Sequence, residues 1–318
     1  MKKKLSIYTF VDKNPEFLQL QIDSFNKHMA NSNCEFIVIN ASIQYNDEMS
    51  KICDSNNINI ISYPQIRRHS PNYYVEQLNW FRDTIQSLSN DFILLIHSDM
   101  FFINSFDFEK YMENKKIYIN PQYRDTPFYK VKNGNFDYFY IWDGVILFDS
   151  EYLNIMNLTQ YFDWNYIEGI TDVGGRTSEL LKIINPDDVG YIEFWTYHKT
   201  DKNILQSGLN GGIIFTIDMN TNEKRIFEGI QMGKRSYPYE SENENYNDYV
   251  VEKIIKMKQN FVDPYYITNN VQSDLIQFQD EPIENSFILH FKSGSQPYNK
   301  NQYEKLQSIR KIIFRNEI

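Results

Sequence analysis

The sequence predicts an open, mainly parallel α/β sheet flanked by helices, folded as a single body with an irregular second half. Three observations lead there. Strand-like and helix-like segments alternate from residue 5 to residue 96 at the spacing of right-handed crossovers. At 42% hydrophobic and 23% charged residues, the 318-residue chain can bury a large core and does not read as disordered. No internal repeat interrupts the pattern. The expected division is into halves 1–104 and 105–318 of one continuous domain.

Leu5 to Val11 reads as a buried strand, followed by Asn14 as a helix N-cap, Pro15 at the first helical position, and Leu18, Ile22, Phe25 and Met29 at helical spacing. Phe36 to Ile39 and Ile58 to Ile61 are the next strands, joined by a polar helix over Asn46 to Asp54. Ser70 and Pro71 open a helix that places Tyr74, Leu78, Phe81, Ile85 and Leu88 on one face, and Phe92 to Ile96 is the fourth strand. Ligands of such sheets sit beyond the carboxyl ends of the strands, which is where His97, Ser98 and Asp99 fall.

In the second half, Val145 to Phe148 and Gly212 to Ile217 read as strands, and Phe287 to Phe291 as a late strand returning to the sheet. The polar stretch around 220–248 reads as an insertion or long surface loop. From Gln302 to Phe314 a last helix gathers Tyr303, Leu306, Ile309 and Ile313 on one side. Docking on the body is the first reading of that face, and peripheral membrane contact the second.

A net charge of −10 argues against general nucleic-acid binding, which needs a surplus of Lys and Arg. Cys34 and Cys53 are too few for a disulfide scaffold or a thiolate metal site, which fits a reducing compartment. The basic start, Met1 to Lys4, precedes a segment too short and polar for a signal peptide, and no stretch reaches membrane-spanning length. The expected location is cytoplasmic.

An acid directly after a buried strand, as Asp99 is, can hold a hard cation against a diphosphate, although a lone Asp there more often caps the turn. His290 ends the late strand. A neutral imidazole is a good ligand for Mn2+ or another borderline ion, and the backbone N–H groups of Ser293, Gly294 and Ser295 suit phosphate oxygens. The segment His97-Ser98-Asp99 resembles the DxD region of GT-A glycosyltransferases, with histidine in place of the first acid. The segment from Ile288 to Asn299 resembles the carboxyl-terminal signature of glycogenin-like family 8 glycosyltransferases.

Carried over residue by residue, the resemblance makes Asp99 and His290 the metal ligands and aligns Pro297-Tyr298 with the family's Pro-Trp pair. Gly294 falls one place late, and Gln296 stands where a phosphate-binding lysine is expected, with Lys292 as its substitute. His97, Lys292, Gly294 and Ser295 are then counted among the cofactor-binding residues. The resemblance implies a GT-A-type sheet and transfer of sugar from a nucleoside-diphosphate donor, a UDP-sugar, with Mn2+ (or Mg2+). It also implies a nucleotide-sugar-binding half at 1–104 and an acceptor-binding half at 105–318, the acceptor being a glycan, lipid or protein.

The segment Tyr140 to Phe148 is similar to a family strand near the donor sugar, so Asp143 is expected to meet sugar hydroxyls or an acceptor, with Gly144 letting the substrate approach the backbone. Asp172 is assigned to the acceptor side. Thr9, Phe10 and Val11, at the end of the first strand, are expected to face the base, and Arg67 and Arg68 to neutralise the diphosphate. Gln77, Asn79 and Arg82 are weaker donor contacts.

Two rival readings come from different chemistry. Ile170 to Leu181 resembles the glycine motif of class I methyltransferases that wraps S-adenosylmethionine, but Arg176 and Ser178 occupy two glycine places. A non-catalytic carbohydrate-binding protein of the same fold is the other. No Walker loop and no Gly-x-Gly turn after the first strand are present.

Overall fold

The computed structural model describes residues 3–30, 32–64, 73–123, 139–167, 173–197, 204–209, 213–218, 224–226, 273–278, 281, 285–291 and 300–314. The first half runs β1 (Leu5–Val11), α1 (Pro15–His28), β2 (Cys34–Asn40), α2 (Asn46–Ser55), β3 (Asn59–Ser62), α3 (Tyr73–Thr84), β4 (Phe92–Ile96) and β5 (Met100–Phe102). It continues with α4 (Phe108–Asn114), β6 (Ile117–Ile119), β7 (Pro121–Tyr123), β8 (Phe139–Ile141), β9 (Val145–Asp149), α5 (Ser150–Ile155), α6 (Ser178–Ile183) and β10 (Val189–Tyr197). The last elements are β11 (Ile204–Leu209), β12 (Ile213–Asp218), β13 (Lys224–Ile226), β14 (Ser273–Phe278), β15 (Ile288–Phe291) and α7 (Lys300–Ile313).

This is the mixed α/β architecture the alternation predicts. The central sheet is ordered β3-β2-β1-β4-β9-β6-β10. Parallel pairing joins β3, β2, β1 and β4, while β9 runs against both β4 and β6, and β10 runs parallel to β6. Six of these seven strands therefore point the same way. Because a central strand is covered on both faces, its residues alternate between two cores. Leu5, Ile7 and Val11 of β1 join the core under α1, with Leu18, Ile22, Phe25 and Met29, while Tyr8 joins the one under α3, with Leu78 and Phe81.

Beyond β10 every pairing among the described residues is antiparallel. β11, β12 and β13 extend the sheet as a meander, and β14 pairs with β10 and then with β15, which pairs with β5. The β14–β15–β5 ribbon thus leaves the sheet through β10 and returns to the carboxyl end of β4. That return positions the site.

Three expectations change in detail. Asn14 does precede α1, but in a left-handed conformation (φ 58°) with no side-chain cap bond, and its carbonyl accepts the Phe17 N–H at 2.9 Å. The helix α3 ends at Thr84, so Leu88, expected on its apolar face, lies in a separate turn and is 79% exposed. Lys224–Ile226, inside the expected insertion, pairs with β12, and the rest of 220–248 lies outside the described residues.

The apolar face of α7 is consumed by the body: Leu306, Ile309, Ile312 and Ile313 pack with Phe17, Leu20, Phe101, Leu289 and Phe291. Tyr303, expected on that face, is half exposed. Arg310 reaches Asp23 of α1 at 3.0 Å. Among the described residues no helix is long and apolar enough to cross a membrane.

Candidate functional site

At the carboxyl end of β4 the chain turns at once into β5, the Met100 N–H bonding to the His97 carbonyl at 3.2 Å. A buried side chain of α1 braces this turn: Gln21 Nε2 donates to the carbonyls of His97 and Met100, both at 2.9 Å. The turn presents His97 and Asp99. From the other side, register delivers the partners. Met100 pairs across from His290, His290 pairs across from Asp274, and the Phe291 N–H bonds to the Asp99 carbonyl at 2.8 Å.

Asp99 and His290 therefore meet: His290 Nε2 lies 3.7 Å from Asp99 Oδ1. With His97 they form a group of three whose ligand atoms all fall within 4.8 Å of one another. Asp99 is 8% exposed and its Oδ1 is buried without a hydrogen-bond partner among the described residues. A carboxylate oxygen so placed costs on the order of 1–3 kcal/mol unless something satisfies it. A divalent cation held by the three groups would do so, and the donor set, two imidazoles and one carboxylate, is one that binds such ions.

Each imidazole is tied by a second acid. His290 Nδ1 is 3.2 Å from Asp274 Oδ2, and His97 Nε2 is 3.1 Å from Asp143 Oδ2. Tyr74 completes the second cluster, its hydroxyl donating to Asp143 Oδ2 at 2.6 Å and lying 2.6 Å from His97 Nε2. Burial opposes charge on His97, but the hydrogen bond and charge of Asp143, with the charge of Asp99, outweigh it and hold the imidazole pKa above its ordinary value. Burial likewise works against the Asp143 carboxylate, and the bonds from His97 and Tyr74 reverse that, keeping its pKa below the ordinary value. Burial first, then the Asp143 charge, push the Tyr74 phenol well up, so it stays a neutral donor.

Trp142 sits between the two histidines, 5.4 Å from the His97 ring and 5.5 Å from that of His290. Its indole also fills the space above Gly144, where an added Cβ would meet the ring at 2.1 Å. The glycine expected to admit substrate instead admits Trp142.

Among the other expected site residues, Thr9 is fully buried, its hydroxyl without a hydrogen-bond partner among the described residues, and Phe10 is half-buried against Phe81. Arg82 donates to the Phe162 carbonyl at 3.0 Å, and Asn79 Oδ1 accepts the Trp164 N–H at 3.1 Å. Gln77 is buried. Arg67, Arg68, Asp172, Lys292, Gly294 and Ser295 lie outside the described residues.

The described part of the methyltransferase-like segment is a structural corner. Residues 162–167 hold no strand, and Gly174 adopts φ 88° where a Cβ would lie 2.6 Å from the Ile141 carbonyl oxygen. Its glycine thus serves backbone packing.

Sequence reasoning passed over Tyr74, Gln21, Trp142 and Asp274 as site residues. Tyr74 and Gln21 lie on amphipathic helices, one read as core and the other not singled out. Asp274 carries one signal, an acid inside the apolar-rich run Ser273–Phe278.

The chain matches no family model and no curated protein. Among solved structures it is similar to the apo form of the bifunctional glycosyltransferase WbbM (11% identity, 57% of this chain and 35% of that chain, TM-score 0.37). An active-site mutant of LgtC shows 15% identity over 58% of this chain and 72% of that one, with TM-score 0.37. The apo glycosyltransferase GlyE of Streptococcus pneumoniae TIGR4 shows 14% identity over 58% and 44%, with TM-score 0.35. The chain thus spans about a third of WbbM and less than half of GlyE.

Proposed function

We propose that the chain is a metal-dependent glycosyltransferase that moves a sugar from a nucleoside-diphosphate sugar, a UDP-sugar, to an acceptor. One observation carries the reading: Asp99 and His290, in the two segments that resemble glycosyltransferase signatures, converge at 3.7 Å beyond the carboxyl end of β4, beside a third donor, His97. Asp99, His290 and His97 would hold the divalent ion, Mn2+ (or Mg2+) by the resemblance. When bound it supplies a Lewis acid for the leaving diphosphate.

The protein's own groups have the following roles. Thr9 and Phe10, near the carboxyl end of β1, face the base, one of Lys292, Arg67 and Arg68 provides the positive charge that Gln296 cannot, and Gly294 and Ser295 offer backbone N–H groups to phosphate. Tyr74 fixes Asp143, and Trp142 packs against the rings of both histidines. Asp143 and Asp172 are the acids offered to the sugar or acceptor. A cytoplasmic setting is the expected one for a chain whose only cysteines are Cys34 and Cys53.

The test is a thermal shift of the full chain with UDP plus Mn2+ against S-adenosylmethionine, followed by UDP-sugar hydrolysis with and without chelator. Stabilisation by UDP with metal, and chelator-sensitive hydrolysis, are expected. Stabilisation by S-adenosylmethionine alone sinks the reading, and binding of UDP without any hydrolysis or transfer replaces it by a non-catalytic one.

A further inference from the structure

The donor set decides which ions the centre takes, an inference that rests on the metal-dependent reading above. The three groups that converge beyond β4 are two imidazoles and one carboxylate, those of His97, His290 and Asp99. Mg2+ prefers an octahedron of oxygens and gives up its water reluctantly, while imidazole suits Zn2+, Co2+ and Fe2+. A set with a single carboxylate also brings only one negative charge to attract a hard cation.

We propose that His97, Asp99 and His290 form a transition-metal centre that selects ions of the Zn2+ and Co2+ kind over Mg2+, with Asp274 and Asp143 as its positioning residues. Three features of the geometry support this. First, each histidine has one ring nitrogen engaged by a buried acid, His290 Nδ1 by Asp274 and His97 Nε2 by Asp143, the kind of outer bond that orients a metal-binding imidazole. Second, the acids are buried, Asp274 at 3% and Asp143 at 5% exposure, so their bonds fix ring orientation without competition from water. Third, Asp274 faces His290 through strand register, β14 against β15, which makes the pairing a property of the ribbon. The His290 nitrogen left over, Nε2, is the one that lies 3.7 Å from Asp99 Oδ1, the buried oxygen lacking a hydrogen-bond partner among the described residues.

The experiment uses the full chain with metal alone and no nucleotide. Binding of Zn2+, Co2+, Mn2+ and Mg2+ is measured by calorimetry, and the visible absorption of Co2+ reports nitrogen coordination. Wild type should bind Co2+ and Zn2+ roughly 10-fold or more tighter than Mn2+, and Mg2+ weakest, following the affinity order of nitrogen-containing sites. His97→Asp should narrow the Zn2+ to Mg2+ ratio by about 10-fold or more. Asp274→Ala should weaken Co2+ binding by about 10- to 100-fold at unchanged circular dichroism.

Equal affinity for Mg2+ and Co2+ in wild type overturns the proposal, and that comparison needs no variant to fold. An unchanged ratio in His97→Asp overturns it too, and unchanged Co2+ affinity in a folded Asp274→Ala removes Asp274 from it. Selectivity that persists in a chain unable to hydrolyse UDP-sugar counts against the transfer reading alone. Hydrolysis without selectivity counts against this one alone.

Discussion

The parallel half of the sheet and the β14–β15–β5 ribbon build the same site by different logic. In the parallel half each element follows from its own residues: β1, β2 and β4 are apolar runs, and α1 shows its face at helical spacing. The ribbon follows from pairing between segments far apart in the chain, Asp274 with His290 and His290 with Met100. A function placed on such a ribbon depends on register, because a one-residue slip would turn His290 away from Asp99.

The largest expected effect tests whether the two regions act as one centre. Asp99→Ala, on the turn of the parallel half, and His290→Ala, on the ribbon, should each cut UDP-sugar hydrolysis or transfer by at least about 10²-fold. Chelator should do the same to wild type. Both variants should keep their circular dichroism, because neither residue belongs to a packed apolar cluster. Loss of folding in Asp99→Ala would mark it as a structural cap, and full wild-type activity in chelator would break the site altogether.

How legible the molecule was follows the same divide. Leu5–Val11 and Phe92–Ile96 were readable because a strand covered on both faces is a nearly continuous apolar run. Asp99 was readable because strand ends are where such sheets bind ligands, and His290 through its neighbours in the chain. Asp274 and Tyr74 were not. Their roles exist only through contacts to His290 and Asp143, and nothing local in Ser273–Phe278 or Tyr73–Thr84 announces the partner. Gly144 was misjudged for the same reason, since what lies above it is the indole of Trp142 folding back over its own turn.

Gly144 therefore gives the next test, at the point where Trp142 bridges the regions. Gly144→Ala puts a methyl where the indole now lies and should cost about 1–3 kcal/mol of stability, the usual range for overpacking. Because Trp142 contacts both His97 and His290, metal affinity should fall with it. A destabilised variant with unchanged metal binding would show that Trp142 only packs. Unchanged stability would show that the ring moves aside freely.

A smaller effect separates the diphosphate end from the metal. Lys292, Arg67 and Arg68 are the cations offered in place of Gln296. Changing the one that meets the phosphates to Gln should weaken UDP-sugar binding by about 10-fold, the value of one charged hydrogen bond, and leave uridine binding unchanged. Equal loss for both ligands would assign that residue to the base pocket or the fold. Lys292 follows the ribbon and the two arginines precede α3, so the residue that responds tells which region carries the phosphate charge.

The smallest effect belongs wholly to the parallel half, where local conformation should decide and the site should not notice. Asn57 follows α2 with φ 54°, its N–H bonding to the Asp54 carbonyl at 3.2 Å, and it is exposed. A left-handed residue after a helix is usually glycine, with asparagine the common substitute, because a Cβ costs about 1–2 kcal/mol there. Asn57→Ala should therefore lower stability by about 1 kcal/mol in urea unfolding. Asn57→Gly should change it by less than about 0.5 kcal/mol, since relief of the Cβ contact is offset by the greater freedom of the unfolded chain. Co2+ affinity should be the same in both as in wild type. A change in metal binding in either variant would mean that the α2 region communicates with the ribbon, and the separation between locally and non-locally determined parts of this fold would fail.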